Sequence, residues 1–225
     1  MEDYLSEKEQ WEWLKAQVRE NGVAVLAAIV IGLGAVFGWR WWQARLDSGR
    51  LAAGAKYMSM VQALERGDRS QALVDLGELE REHAGSAYTD QARLLAARVY
   101  VDNDELDKAA AELAEVSEHA KDRDLGQIAR LRLARVQISQ GKTDAALATI
   151  GDAAGAGAFA ARYHEVRGDA LYAKGDKAGA LAEYRSAQTA DPATDAQLLS
   201  LKVGELASAA APATPGAPAA PTPAK

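Results

Sequence analysis

"ARYHEVRGDALYAKGDKAGALAEYRSAQTADP" occupies residues 161–192, and its punctuation decides the fold. Gly168 is followed by Leu171, then by a Gly175-Asp176 turn, by Ala180 and Tyr184, by Ala187, and Pro192 closes the segment. Two antiparallel helices that cross closely need small residues at the crossing, because larger side chains overpack the contact. Gly168 and Ala180 meet that need. The turn needs a residue that tolerates positive φ or caps a helix, which Gly and Asp do. Proline cannot continue the helix before it.

The same order recurs upstream. Ala134, Gly141, Ala146, Ile150 and Ala153 each stand 34 residues before Gly168, Gly175, Ala180, Tyr184 and Ala187. Ala97, Tyr100, Asp104, Ala109, Leu113 and Val116 form a third copy, and Met60, Ala63, Gly67, Ala72, Leu76 and Leu79 a fourth. The turn positions 67, 104, 141 and 175 are therefore spaced 37, 37 and 34 residues apart. A helix pair repeating every 34 residues, with small residues at the crossing, is the signature of the tetratricopeptide repeat. The three extra residues of the longer spacings fall near positions 81–90 and 117–126, where they lengthen the second helix or its loop. Each pair leaves an apolar face that only the next pair covers, so stacking is required.

The N-terminal part obeys a different rule. Val23 to Trp39 contains no charged or strongly polar residue. With Gly22, at about 1.5 Å per residue, the run is roughly 27 Å long, close to a bilayer core of about 30 Å. Trp39, Trp41 and Trp42 suit the membrane–water boundary, and Arg40 and Arg45 reach back toward water. A cleaved signal has a basic start and a small-residue cleavage site. Here residues 1–21 carry six acids against three bases, and Trp-Arg-Trp-Trp follows the run, which favours a retained anchor. Lys and Arg near the two ends lean slightly toward an external N-terminus. Gly34 and Gly38 have the spacing of a helix-dimer motif, though glycine is common in membrane helices. Leu5, Trp11, Leu14 and Val18 read either as the apolar face of an interfacial helix over 4–20 or as part of an ordinary juxtamembrane helix.

After Pro192, "TDAQLLSLKVGEL" reads as a last amphipathic helix capped by Thr194 or Asp195, with Leu198, Leu201 and Leu206 covering the open end. From Ala207 the chain is rich in Ala and Pro, with five of its six prolines between Pro212 and Pro223. Such a segment buries too little apolar area to order itself. The expectation is an all-α chain with four segments: residues 1–21 before the membrane, a transmembrane helix at 22–42, a tetratricopeptide-like α-solenoid of about four repeats at 43–206, and a tail at 207–225.

Chemistry is sparse. The chain has no cysteine, and its 32 acidic against 26 basic residues give a net charge of −6, which disfavours nucleic acid. His83 and His119 sit at helix ends, where histidine favours the dipole more often than it binds metal. No metalloprotease, phosphate-loop, dinucleotide or nucleophile-elbow pattern occurs. No catalytic, cofactor-binding or metal residue is assigned, and the expectation is a non-enzymatic binding surface. The first helices of the pairs line a concave groove, whose candidates are Tyr57, Val61, Leu94, Arg98, Leu131, Arg135, Asp169 and Tyr172. Arg98 and Arg135 are equivalent in successive repeats and read either as one wall that pairs with a carboxylate or backbone carbonyl or as ordinary exposed arginines. Tyr57 and Tyr172 suit either a peptide surface or core packing.

The acidic N-terminus, Glu20-Asn21-Gly22, the Gly-Trp-Arg-x-Trp segment from Gly38 to Trp42 and the four repeats together resemble the YfgM family of Gram-negative bacteria, in layout over about residues 1–206. The resemblance implies an inner-membrane protein with a cytoplasmic N-terminus, against the lean of the charge count, and a periplasmic repeat domain. It further implies ancillary association with the SecYEG translocon, a PpiD-like periplasmic chaperone as partner, and contact with nascent secreted or outer-membrane proteins. The repeat domain is also similar to that of a cell division coordinator, so the alternative is a scaffold for cell-envelope or cell-division complexes. The Ala/Pro tail departs from the resemblance.

Overall fold

The computed structural model describes residues 7–153, 155–191 and 196–210. Among these residues the chain consists of helices joined by turns, without strands. It divides after Ala55 into two units.

The first unit is helical from Glu7 onward and belongs to α1 (Glu7–Glu65). The expected boundaries at 21/22 and 42/43 both fall inside this helix, so they mark changes of side-chain chemistry rather than of backbone. Gly22–Glu65 holds an 18-residue window of mean hydropathy 2.3, none of it buried, and is the one described stretch long and apolar enough to cross a membrane. Val23 to Arg40 are all exposed. An exposed apolar run of this length is unfavourable in water, whereas a helix satisfies its backbone internally and is at home in lipid. Residues 7–20 are helical without a break before the apolar run; Leu5 and the side chains of Leu14 and Val18 lie outside the described set.

The second unit starts at Lys56 and is built of helix pairs. The end of α1 pairs with α2 (Arg69–Glu82), α3 (Ala87–Asp102) with α4 (Leu106–His119), α5 (Arg123–Ser139) with α6 (Thr143–Ile150), and α7 (Ala160–Lys174) with α8 (Lys177–Ala190), followed by α9 (Ala196–Ala210). All four turn residues have positive φ: +76° at Gly67, +60° at Asp104, +74° at Gly141 and +93° at Gly175. The backbone closes each turn in the same way. Asp68 N–H donates to Ala63 O and Gly67 N–H to Leu64 O, at 2.8 and 2.9 Å. The same two bonds recur as Glu105 to Tyr100 with Asp104 to Val101, Lys142 to Gln137 with Gly141 to Ile138, and Asp176 to Leu171 with Gly175 to Tyr172. This is the Schellman closure, which satisfies the last carbonyls of the first helix. Asp68 and Asp176 then cap the second helix by accepting from Gln71 N–H and Gly179 N–H, at 3.0 and 2.8 Å.

The crossings are as small as the sequence requires. Ala72, Ala97, Ala109, Ala134, Ala146 and Ala180 are buried, and so is Gly168. A Cβ on Gly168 would lie 2.5 Å from Cε1 of Tyr184, whose ring fills the space the glycine leaves. The core runs from pair to pair. Leu94, Leu113, Val116, Leu133 and Val136 join α3, α4 and α5. Leu131, Ala134, Ile150, Tyr163 and Val166 join α5, α6 and α7. Tyr184, Ala187, Leu199 and Leu206 join α8 and α9. α5 thus packs on both sides, which is how a stack differs from a set of hairpins.

The longer spacings do carry the longer second helices: α2 and α4 have 14 residues each, whereas α6, in the short third spacing, has only 8 and stops at Gly151 with φ +60°. The glycine-rich segment beyond it turns into a 3₁₀ helix at Gly157–Phe159. Two other expectations need adjustment. In α9 the covering residues are Leu199 and Leu206, with Val203 packed against them, whereas Leu198 and Leu201 are 47% and 65% exposed. Positions 199, 203 and 206 lie on one helical face and 198 and 201 lie beside it. Helix α9 also continues to Ala210, so residues 207–210 are helical; alanine is the best helix former, and the first proline of the tail comes at 212. Pro192, Thr194, Asp195 and residues 211–225 lie outside the described residues.

One half-buried ion cluster ties α3 to both neighbours. Arg93 Nη1 stands 3.0 Å from Glu80 Oε1 on α2 and 3.0 Å from Glu112 Oε2 on α4. Burial pushes the Glu112 carboxyl above its ordinary value, nearby Glu80 adds to the rise, and Arg93 pulls it back. A carboxyl raised in the fold favours the folded state below its unfolded value and loses that benefit as pH rises through its folded value.

Gly168→Ala is expected to cost about 1–3 kcal/mol through overpacking against Tyr184. Urea melts followed by circular dichroism will read this as a lower midpoint, and Tyr184→Leu in the same chain should restore part of it. Asp104→Gly removes an unfavourable left-handed conformation, at the cost of a more flexible unfolded chain, and should be neutral or stabilising by up to about 1 kcal/mol, whereas Gly141→Ala should destabilise by about 1 kcal/mol. Equal signs for the two in thermal melts would contradict this account of the turns. Arg93→Gln leaves two carboxylates facing each other and should cost roughly 1–3 kcal/mol at pH 7. Its deficit should shrink as pH falls and Glu112 protonates; a deficit constant from pH 7 to 4.5 would show that the charge pair is not its origin.

Candidate functional site

The eight groove candidates are distributed unevenly. α3 and α5, the first helices of successive pairs, bring Leu94, Arg98 and Arg135 together around a pocket of about 300 Å³. Ala97, Val101, Leu113 and Val136 complete its apolar floor, and Arg132 joins the rim. Leu94 is only 7% exposed, so it contributes floor rather than an open face. Leu131 is 4% exposed and packs into the interior with α6 and α7, which removes it from the groove. The reason is helical phase: Leu131 and Ala134 face forward to the next pair while Leu133 and Val136 face back.

Asp169 is committed within the fold. Tyr184 Oη donates to its Oδ1 at 2.8 Å, and Lys202 Nζ of α9 donates to the same oxygen at 2.7 Å. Lys202 also reaches Glu165 Oε1 at 3.2 Å and lies 5.1 Å from the Tyr184 ring centre. Burial, then the bond to Asp169, hold the Tyr184 phenol far above its ordinary value, so it stays a donor. Glu165, with a side chain 4% exposed, receives Arg135 Nη2 at 3.6 Å. A chain of charges therefore runs from Arg135 on the pocket rim through Glu165 and Lys202 to Asp169, and it fixes the end helix against α7. Tyr172 is exposed, Val61 is half-buried, and the Tyr57 ring lies 6.0 Å from that of Tyr88 at 35°.

A second, wider cleft of about 740 Å³ lies at helix ends, between the α4–α5 junction around Lys121 and Arg123 and the end of α6 at Thr149 to Asp152. Its walls are polar, and Arg123 spends a donor on Gly155 O at 2.9 Å. The three histidines are absorbed locally: His83 ends α2, His119 Nδ1 sits 3.3 Å from Glu115 O, and His164 Nδ1 sits 2.7 Å from Glu183 Oε2. Among the described residues no group of three or more His, Asp or Glu side chains is placed to hold a metal ion.

The sequence reading missed Arg132, Glu165 and Lys202. Arg132 had a signal, since it precedes Arg135 by three residues and shares its helical face. Glu165 likewise precedes Asp169 by four. Lys202 carried none, because its partners lie more than thirty positions away.

The chain matches the family model described as a tetratricopeptide repeat-like domain over residues 15–208. It is 35% identical over 209 residues to the "Ancillary SecYEG translocon subunit" of Escherichia coli (strain K12), covering 92% of this chain and 99% of the relative. It is 28% identical to the protein of the same name from Haemophilus influenzae, over 90% of this chain and 98% of the relative, and 27% identical to that from Neisseria gonorrhoeae, over 92% and 100%. Among solved structures none matches. The match spans the apolar run, all four helix pairs and α9, so the chain belongs to the tetratricopeptide repeat-like family of the ancillary SecYEG translocon subunits, the YfgM family its sequence resembles.

Proposed function

We propose that this protein is a non-catalytic ancillary subunit of a SecYEG translocon in the inner membrane. Its apolar helix over 22–42 anchors the chain, residues 1–21 lie in the cytoplasm, and the repeats of 43–206 lie in the periplasm. There the groove of the first helices binds a PpiD-like chaperone, or secreted and outer-membrane chains as they emerge. The observation that carries this reading is the near end-to-end match to relatives named for that role, at 99% of the Escherichia coli protein. The pocket at Leu94, Arg98 and Arg135 supports it by supplying an open binding surface on a rigid scaffold. Anchoring a weak groove beside the channel raises its effective concentration for anything that leaves the channel.

Two measurements test the reading together. In intact spheroplasts, external protease should digest the repeats and spare residues 1–20; repeats protected until the membrane is broken would place them in the cytoplasm and end the periplasmic role. Photo-cross-linkers at positions 98 and 172 should trap translocon or chaperone subunits together with heterogeneous client chains. A single discrete adduct with a protein outside the translocon would instead indicate a scaffold for another envelope complex.

A further inference from the structure

The pocket between α3 and α5 combines two chemistries that need explaining together. Its floor is aliphatic, and at about 300 Å³ it sits at the low end of ligand-site volumes, with room for one large side chain rather than a cofactor. Its rim carries Arg98, Arg132 and Arg135, and none of the residues lining it is acidic. In a chain of net charge −6, three guanidinium groups around one apolar depression are a local reversal of the overall sign.

Two of the three arginines are also only loosely engaged. The Arg98 side chain is 77% exposed and meets Asp102 at 3.8 Å across one helical turn. A pair that open to solvent contributes little to the fold. Arg132 is exposed and enters no salt bridge among the described residues. Arg135 differs, since buried Glu165 at 3.6 Å steadies it from behind while its side chain stays 42% exposed toward the pocket. Arginine is suited to this place because its planar fork binds a carboxylate through two parallel hydrogen bonds and is less strongly hydrated than an ammonium group.

We propose that this pocket takes an acidic peptide segment, seating one aliphatic or aromatic side chain on the floor while flanking carboxylates pair with Arg98, Arg132 and Arg135. The proposal rests on the groove reading above and specifies its ligand. A neutral apolar segment would use the floor and leave the arginines without partners. A nucleic acid strand would use the arginines alone and meet the repulsion of the net negative chain.

The test uses the full chain in nanodiscs of neutral phosphatidylcholine, with a fluorescein-labelled peptide holding one leucine between two pairs of glutamates. Fluorescence anisotropy should show saturable binding that weakens several-fold as salt rises from about 50 to 300 mM, because the rim charges are exposed. Replacing the leucine by serine should weaken the peptide about tenfold, and replacing the glutamates by lysines should abolish saturable binding. In the protein, Arg98→Glu with Arg132→Glu should abolish binding with the helical circular dichroism unchanged. If that pair fails to fold, Arg98→Gln with Arg132→Gln should weaken it about tenfold, and the peptide series on the unaltered chain decides independently of either. A lysine or serine peptide that binds as tightly as the acidic leucine peptide overturns the proposal, as does a folded double variant that binds normally or an oligothymidine that competes. Co-purification of the same protein with the translocon separates the two readings. Failed peptide binding with retained translocon sinks the pocket alone, and the reverse result sinks the translocon role alone.

Discussion

The close approach of paired helices is the constraint on which the rest depends. Each pair crosses at buried alanines, and at Gly168 there is no room even for a methyl group. The Tyr184 ring lies against the bare backbone of Gly168, and from there its hydroxyl reaches Asp169. The missing Cβ therefore sets more than a distance. It places the tyrosine, which holds the aspartate, which together with Glu165 receives Lys202 from α9. The end of the stack is secured by a side chain that fits only because its neighbour has none.

Stacking converts this local fit into a long surface. α5 contributes to two successive clusters through opposite faces, and Arg132 and Arg135, between those faces, line the pocket with Val136 and α3. Polar groups near the seam are arranged accordingly. Arg93 sits between two carboxylates and ties three helices, while Arg98, one and a half turns along α3, has only a loose partner. The scaffold's stable charges are those with several partners, and the candidate binding charges are those with few. That division is what a preorganised recognition surface requires, because a side chain already committed to the fold has to be released before it can bind.

The repeat architecture was legible because its determinants are local. Turn residues at 67, 104, 141 and 175 each adopt positive φ and carry the same paired backbone bonds, including Asp104, the one of the four that is not glycine. The small crossing residues were legible for the same reason, since any larger side chain breaks the pair. The apolar run was legible as a span from length and flanks. What escaped was helical phase and long-range charge. Leu131 and Leu133 look alike in sequence and pack in opposite directions, and Leu198 and Leu199 differ by one position between solvent and core. Asp169 read as a groove acid because nothing nearby in the chain announces Lys202. The early stop of α6 escaped too, although the glycines from 151 onward offered the signal.

A groove with one apolar pocket and three arginines is a modest site, and its size sets what kind of recognition it supports. A pocket for a single side chain, framed by partly solvated charges, has too little buried area to hold a partner tightly. It matches short segments that share a pattern rather than one sequence. Such a site becomes effective when its ligands are delivered locally, and α1 contains the apolar run. On the proposed reading, with that helix held in a membrane, the groove's partners would be drawn from what passes near that membrane, and a weak, fast-exchanging interaction would be enough to engage them repeatedly. On that reading the small pocket and the apolar helix complement each other, since localisation would supply the concentration that the pocket's contact area does not.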